Sequence, residues 1–328
     1  VNRVIVTGGA GFIGSAMVWR LNQAGIDDIL IVDNLNTSEK WRNLLGLRYS
    51  DYLHKTAFLA QLKAGELDFQ PDAIVHLGAC SVTTEADGDY LMENNFRYTK
   101  TLAEWATARG VRFLYASSGQ TYGDGELGFA DDDALVPLLR PITRYGYSKH
   151  LFDLHALRTR LVEEIVGIKF FNVFGPNEYH KDDMRSVVHK AFHQVQETGV
   201  IKLFKSYHPD YPDGGQTRDF VYVKDCVEVL FWFLQHPEEN GIYNIGTGDA
   251  RPWNALANAV FTALGLEPQI EYIEMPERLK GNYQYHTQAT IQKLRNAGCD
   301  VPFRSLEDAV TDYVQNHLAT PQPYLTAP

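Results

Sequence analysis

Val4–Gly14, which reads VIVTGGAGFIG, decides the fold. Its first four residues form a short apolar, β-branched run, as expected of a strand buried on both faces. Gly8, Gly11 and Gly14 then fit a G-x-x-G-x-x-G turn opening a helix expected over 13–24, which stops near Gly25. The spacing has a physical reason. The chain must turn tightly, bring its backbone close to a pyrophosphate and pack helix on strand, and the helix N-terminus offers N–H donors to the anion.

Outward from this turn, strand-like runs at 29–32, 73–77, 111–116 and 168–172 alternate with helical stretches, the longest over 89–109. The alternation predicts an α/β fold, a doubly wound parallel Rossmann sheet. Beyond Gly175 the pattern is less regular. Helices are expected over 184–198, 252–264, 287–297 and 306–316, and short strands over 219–223 and 243–245. Residues 1–175 are therefore read as a dinucleotide-binding Rossmann domain. Residues 176–328 are read mainly as a smaller α/β substrate lobe, with 219–246 open to returning to the main sheet. The Pro-, Gly- and Asp-rich stretch 206–217 reads as a surface loop, and the Pro-rich tail 319–328 is expected to fray.

Composition narrows the function classes. The 328 residues are 45% hydrophobic with a formal net charge of -11, ample for a core and opposed to nucleic-acid binding. An anionic substrate needs a local cluster of Lys and Arg against this field. Cys80, Cys226 and Cys299 are too few and too widely spaced for a disulfide framework or a zinc site, so no metal is expected. They read as thiols in a reducing compartment. No apolar run approaches the ~20 residues that span a bilayer. No signal-peptide pattern is present, so no membrane association is expected and the default location is the cytoplasm.

Asp33 ends the second strand about 20 residues past the glycine turn, where a carboxylate binds adenosine ribose hydroxyls. A carboxylate there favours NAD, whereas Lys40 would neutralise the extra phosphate of NADP and Asn34 would contact it without charge. In His76-Leu77-Gly78-Ala79, the glycine lets the backbone pass close to the cofactor.

Ser117-Ser118 ends the strand at 111–116, and Tyr145 and Lys149 lie four residues apart on one helical face. An ammonium beside a phenol lowers its pKa. The phenolate can then take a proton from a substrate hydroxyl as hydride leaves the same carbon, while Ser118 holds that oxygen.

These features, with SSGQTYG (Ser117–Gly123), FNVFGP (Phe171–Pro176) and RDFVYVKD (Arg218–Asp225), resemble the extended short-chain dehydrogenases/reductases that act on nucleotide sugars. Dehydratases of that superfamily carry Asp-Glu where this chain has Gly119 and Gln120, which cannot serve as general acid and base for elimination. The resemblance therefore points to epimerisation or simple redox. It is closest to the ADP-glycero-manno-heptose 6-epimerases, through DNL (Asp33–Leu35), Gly78–Asn95, the EYHK run (Glu178–Lys181), the KLF run (Lys202–Phe204) and Glu271–Ala289.

In that family the sugar's C-6 hydroxyl is oxidised to a ketone and hydride returns to the other face, in biosynthesis of lipopolysaccharide inner-core heptose. The resemblance implies Tyr145 and Lys181 as the two acid/base groups, Ser118 to orient the substrate oxygen and Lys149 to bind the nicotinamide ribose. It implies cofactor contacts from Phe12, Ile13, Asp33, Asn34, Lys40, Lys55, Leu77, Gly78, Ala79, Cys80, Ser81, Asn94, Val173 and Lys181. Lys40 and Lys55 favour NADP, with NAD the alternative. Implied substrate contacts are Asn172, Phe204, Arg218 and Tyr283, with Arg218 a bidentate grip on the diphosphate. Two departures stand out. Asp183 replaces a small polar substrate contact, and the 206–217 loop is longer than the family's pattern and lies where the nucleotide sugar is expected; the family's contacting histidine falls near His189 or Lys190 without a clean match. The family is oligomeric and usually pentameric. Two other readings are an epimerase of another nucleotide sugar, such as a UDP-hexose 4-epimerase, and an idle NADP(H) sensor.

Overall fold

The chain is described by a computed structural model covering residues 1–280 and 283–328. Residues 281 and 282, which belong to the matching stretch 271–289, lie outside the described residues. In chain order the strands are β1 (Arg3–Thr7), β2 (Asp28–Asp33), β3 (Asp51–His54), β4 (Ala73–His76), β5 (Arg112–Ser118), β6 (Val166–Phe170), β7 (Asn172–Phe174), β8 (Ile201–Phe204), β9 (Thr217–Tyr222), β10 (Gly241–Ile245), β11 (Ala250–Pro252) and β12 (Ile270–Ile273).

Seven of these strands pair in parallel in the order β3-β2-β1-β4-β5-β6-β10. The order reverses direction between β1 and β4, as in a doubly wound sheet, and a ligand crevice opens at that switch point. β1 lies in the middle of the sheet, which explains its unbroken apolar run. Val4 and Val6 face the helices Phe12–Gln23 and Val223–Gln235, whereas Ile5 faces Lys55–Ala64, Tyr98–Thr107 and Arg144–Arg158. All three β1 side chains are fully buried.

After β6 the chain switches sheets across Phe171. β7 pairs with β9 and β9 with β11, while β8 pairs with β12. Helices Val187–Thr198, Trp253–Leu264 and Leu306–Tyr313 cover these strands with a separate apolar core. From β9 the chain returns through Val223–Gln235 to β10, which pairs with β6.

Several expectations are corrected. The strand expected over 168–172 is two strands in two sheets, broken at Phe171. The helix expected over 287–297 shrinks to Gln292–Asn296, because the N–H groups of Thr287, Ala289 and Thr290 bond Thr217, Asp219 and Phe129 instead. The helical path expected over 89–109 contains a wide turn, Met92–Arg97, of the i→i+5 type found at functional sites. β3 and Lys55–Ala64 were not anticipated. The tail does not fray: Leu325 is 3% exposed and belongs to the main core. No described helix is long and apolar enough to cross a membrane. Cys226 and Cys299 are buried, and Cys80 is half-buried.

Candidate active site

The glycine turn is built for close approach. Gly8 has φ +67° and lies so near Gly78 that a Cβ would come within 2.7 Å of its backbone. A Cβ on Gly14 would stand 1.9 Å from the Gly8 carbonyl, so only glycine lets the helix start this close to β1. No side chain caps this helix. Its first-turn N–H groups thus face a cleft of about 480 Å³.

The cleft gathers most of the cofactor residues named from sequence. Gly8, Gly11, Phe12, Ile13 and Gly14 form its floor, Asp33, Asn34, Lys40, Lys55 and Asn94 one end, and Leu77, Gly78, Ala79, Cys80, Ser81 and Lys181 its rim. Lys149 and Val173 do not line it. Asp33 is already committed: Oδ2 accepts from Ala10 N at 2.8 Å, and Oδ1 from Asn34 N at 2.6 Å and Lys40 Nζ at 2.7 Å. The carboxylate is therefore neutralised at the place where it would repel a second phosphate. Lys55 Nζ donates to Asn94 Oδ1 at 2.6 Å, and burial, then Lys40, holds its pKa below the usual lysine value. The buried Oδ1 of Asn34 has no partner among the described residues. An orphaned acceptor beside an uncapped helix start fits a dinucleotide's hydroxyls and pyrophosphate.

Ser118 ends β5, and helix Arg144–Arg158 begins beside it, capped by Thr143 Oγ1 on Gly146 N at 2.9 Å. The Ser118 hydroxyl accepts from Gln120 N at 3.1 Å and stands close enough to the Tyr145 phenol to influence it. Burial pushes the phenol's pKa up, against a smaller downward pull from Ser118, so that it lies above the usual tyrosine value. This corrects the sequence expectation. Lys149 Nζ instead donates to the Ala116 carbonyl, 2.8 Å away on the cleft wall, and burial lowers its pKa to about 8. Lys181 stands on the glycine-turn side, with Nζ 5.3 Å from the Phe12 ring centroid, and burial lowers its pKa.

The substrate residues named from sequence are scattered. Arg218 is 7% exposed, between the rings of Trp253 (5.7 Å) and Tyr283 (5.1 Å). Its guanidinium donates to the carbonyls of Thr217 and Gln284, and it has no carboxylate partner among the described residues. Tyr283 accepts from Trp253 Nε1 at 3.0 Å. Phe204 ends β8, and Asn172 is exposed on β7 with Thr287 Oγ1 at 3.4 Å. Lys190 donates to the Asp183 carbonyl at 2.6 Å, and both side chains are exposed. His189 is buried against Tyr179 and His193, and burial lowers its pKa to about 3. The 206–217 loop is pinned by Ser206 N on Asp213 Oδ1 at 2.7 Å. Its His208 and Tyr211 rings pack on Tyr285, beside Tyr283, around a second cavity of about 570 Å³.

Sequence reasoning missed Asn95. In the wide turn this fully buried amide exchanges bonds with the Cys80 backbone at 2.8 and 3.1 Å and donates to Ser148 Oγ at 3.0 Å. It ties the rim to the helix carrying Tyr145. A helical period gives no sign of a wide turn, so only its polar side chain hinted at this role.

The NAD dependent epimerase/dehydratase family matches residues 4–246. The chain is 60% identical over 321 residues, 98% of its length and 99% of the relative's, to an ADP-L-glycero-D-manno-heptose-6-epimerase from Nitratidesulfovibrio vulgaris. It is 47% identical over 331 residues, 98% and 100% of the two chains, to a protein of the same name from Fusobacterium nucleatum. The structure superposes on that of the Helicobacter pylori ADP-L-glycero-D-manno-heptose-6-epimerase with a TM-score of 0.81 at 26% identity, covering 97% of each chain. The chain therefore belongs to the NAD dependent epimerase/dehydratase family and, within it, to the family of ADP-L-glycero-D-manno-heptose-6-epimerases, enzymes that work with a nicotinamide dinucleotide.

Proposed function

We propose that the enzyme inverts C-6 of an ADP-linked glycero-manno-heptose by transient oxidation, with NADP held in the glycine-turn cleft. The observation that carries this is the cleft itself, which has the uncapped glycine turn, Asp33, Lys40 and Lys181 in its lining, and into whose wall at Ala116 runs the strand that ends at Ser118, near Tyr145. When bound, the dinucleotide supplies a hydride acceptor and donor for C-6 and a positive charge that favours the Tyr145 phenolate. Ser118 holds the C-6 oxygen, and Tyr145 takes its proton as the C-6 hydride leaves, giving a ketone. Once the C-6 centre has turned over, hydride returns to the other face and Lys181 gives the proton, so no net redox change occurs. Lys149, bonded to the Ala116 carbonyl behind the cleft wall, is the group that would hold the nicotinamide ribose. Arg218, buried and free of any described carboxylate, is suited to the diphosphate, because a bare guanidinium in that setting needs an anion.

The second phosphate of NADP is favoured over NAD by the neutralised Asp33 and by Lys40 and Lys55 beside it. Denaturing the purified protein and weighing the released dinucleotide tests the cofactor. Incubation with ADP-heptose and with UDP-glucose tests the substrate. Inversion of the heptose and no change in the hexose is expected; the reverse would establish a UDP-hexose 4-epimerase. Tyr145→Phe should lower turnover by about 10²-fold or more while the dinucleotide stays bound. Unchanged turnover would remove Tyr145 from the chemistry.

A further inference from the structure

The turn that carries Lys181 is strained, although Lys181 N donates to the Glu178 carbonyl at 3.1 Å and the buried Glu178 carboxylate accepts from Ser186 Oγ at 2.6 Å. Asn177 has φ +75°, which asparagine tolerates, but Asp182 has φ +45° and ψ −123°, a conformation that favours glycine. A strained residue of this kind persists where its surroundings over-determine it. The Lys181 ammonium has no hydrogen-bond partner among the described residues; it lies over the Phe12 ring and feels the Glu178 charge. Its position therefore follows the backbone beneath it, which contacts from outside the turn hold as well as the turn's own bonds.

Residues 323–328 lie across it. The Pro323 carbonyl accepts from Tyr179 Oη at 2.7 Å, and the Tyr324 ring stands edge-on to Tyr179 at 5.1 Å. Leu325 N donates to Asn177 Oδ1 at 3.0 Å. The segment is itself anchored: His317 Nδ1 lies 3.0 Å from the Pro323 carbonyl, Ala327 N donates to the Gly46 carbonyl at 2.8 Å, and Arg48 Nη1 to that of Pro328 at 2.6 Å.

Asn177 passes this anchorage to the glycine turn. It is fully buried, its Nδ2 donates to Ser15 Oγ at 2.9 Å, and its carbonyl accepts from Asn43 Nδ2 at 3.0 Å. That same Asn43 amide donates to the Ala10 carbonyl at 2.9 Å and lies 3.2 Å from Nδ1 of His180, the neighbour of Lys181. The tail, the glycine turn and the lysine turn thus share one hydrogen-bonded frame.

We infer that residues 323–328, acting through Tyr179 and Asn177, position Lys181 over the glycine turn for proton transfer. This rests on the acid/base reading of Lys181 proposed above. Tyr179 and Leu325 are positioning residues, since neither reaches the reacting atoms.

The test is a double-mutant cycle in the full-length chain, using Tyr179→Phe and Leu325→Ala, each in the parent and in Lys181→Met. Each should lower kcat about 10-fold in the parent, with KM changed less than about two-fold and the dinucleotide retained. In Lys181→Met neither should lower the residual turnover further. An equal loss in both backgrounds, or none in the parent, overturns the inference. A second readout does not depend on turnover: labelling of Lys181 by trinitrobenzenesulfonate, read by peptide mass, should be several-fold faster in both variants, and an unchanged rate overturns the positioning claim. Parent-like turnover of Lys181→Met would instead sink the acid/base reading, and labelling alone would then judge the positioning.

Discussion

At Lys149 burial opposes charge. Desolvation lowers its pKa to about 8, and no carboxylate among the described residues bonds it, although the Asp153 charge nearby partly counters the shift. The unfolded chain keeps the ordinary lysine value of about 10.4. Between these values the unfolded state binds more protons than the native state, so this group makes stability rise with pH from 8 to 10.4 and costs stability at neutral pH. In protein stripped of dinucleotide, the stability of the parent relative to Lys149→Met should therefore increase over that interval, by an amount of the order of 3 kcal/mol. Urea unfolding at pH 7.5 and 10 measures it, and a flat difference contradicts the assignment.

Between elements, a buried ion pair joins the catalytic helix to the sheet. Lys169 on β6 donates to Asp153 Oδ2 and to Thr121 Oγ1, both at 2.6 Å, and Asp153 also accepts from Tyr115 Oη at 2.9 Å and Ser117 Oγ at 2.7 Å. Lys169 and Asp153 are fully buried. Asp153 lies one helical turn beyond Lys149, and Thr121 donates to the Ser118 carbonyl at 2.8 Å, so this network links the helix carrying Tyr145 to the strand end carrying Ser118. Breaking one half strands the other charge. Lys169→Met should cost about 3–5 kcal/mol in urea unfolding, and adding Asp153→Leu should recover part of that. If the second change adds a further loss instead, the cost lies in packing and not in charge. The sequence shows a lysine within an apolar strand and an aspartate within a helix, but not that they meet.

Over the whole molecule, the cofactor cleft draws on the sheet edge, the 39–44 turn and the lysine turn, so a ligand there joins parts distant in sequence. NADP at 100 times its Kd should raise stability by about 2.7 kcal/mol. The rise in Tm should exceed that given by NAD at equal concentration, and Lys40→Ala should erase the difference. Equal shifts in the parent would remove the phosphate preference.

The sequence alone determined the sheet class, the glycine turn and the Tyr145–Lys149 face, because each follows from local periodicity or from the steric demands of a few adjacent residues. It also reached Asp33 and Lys40 by their spacing from the glycine turn, and Lys181 through resemblance. Only the tertiary structure decided what those charges meet: Lys149 turned to a carbonyl instead of the phenol, Asp33 bonded to Lys40, Arg218 left without a described carboxylate, and the tail docked where composition predicted fraying. Hydrogen-bond partners and burial depend on residues far apart in the chain, and no local pattern encodes which of them will be neighbours.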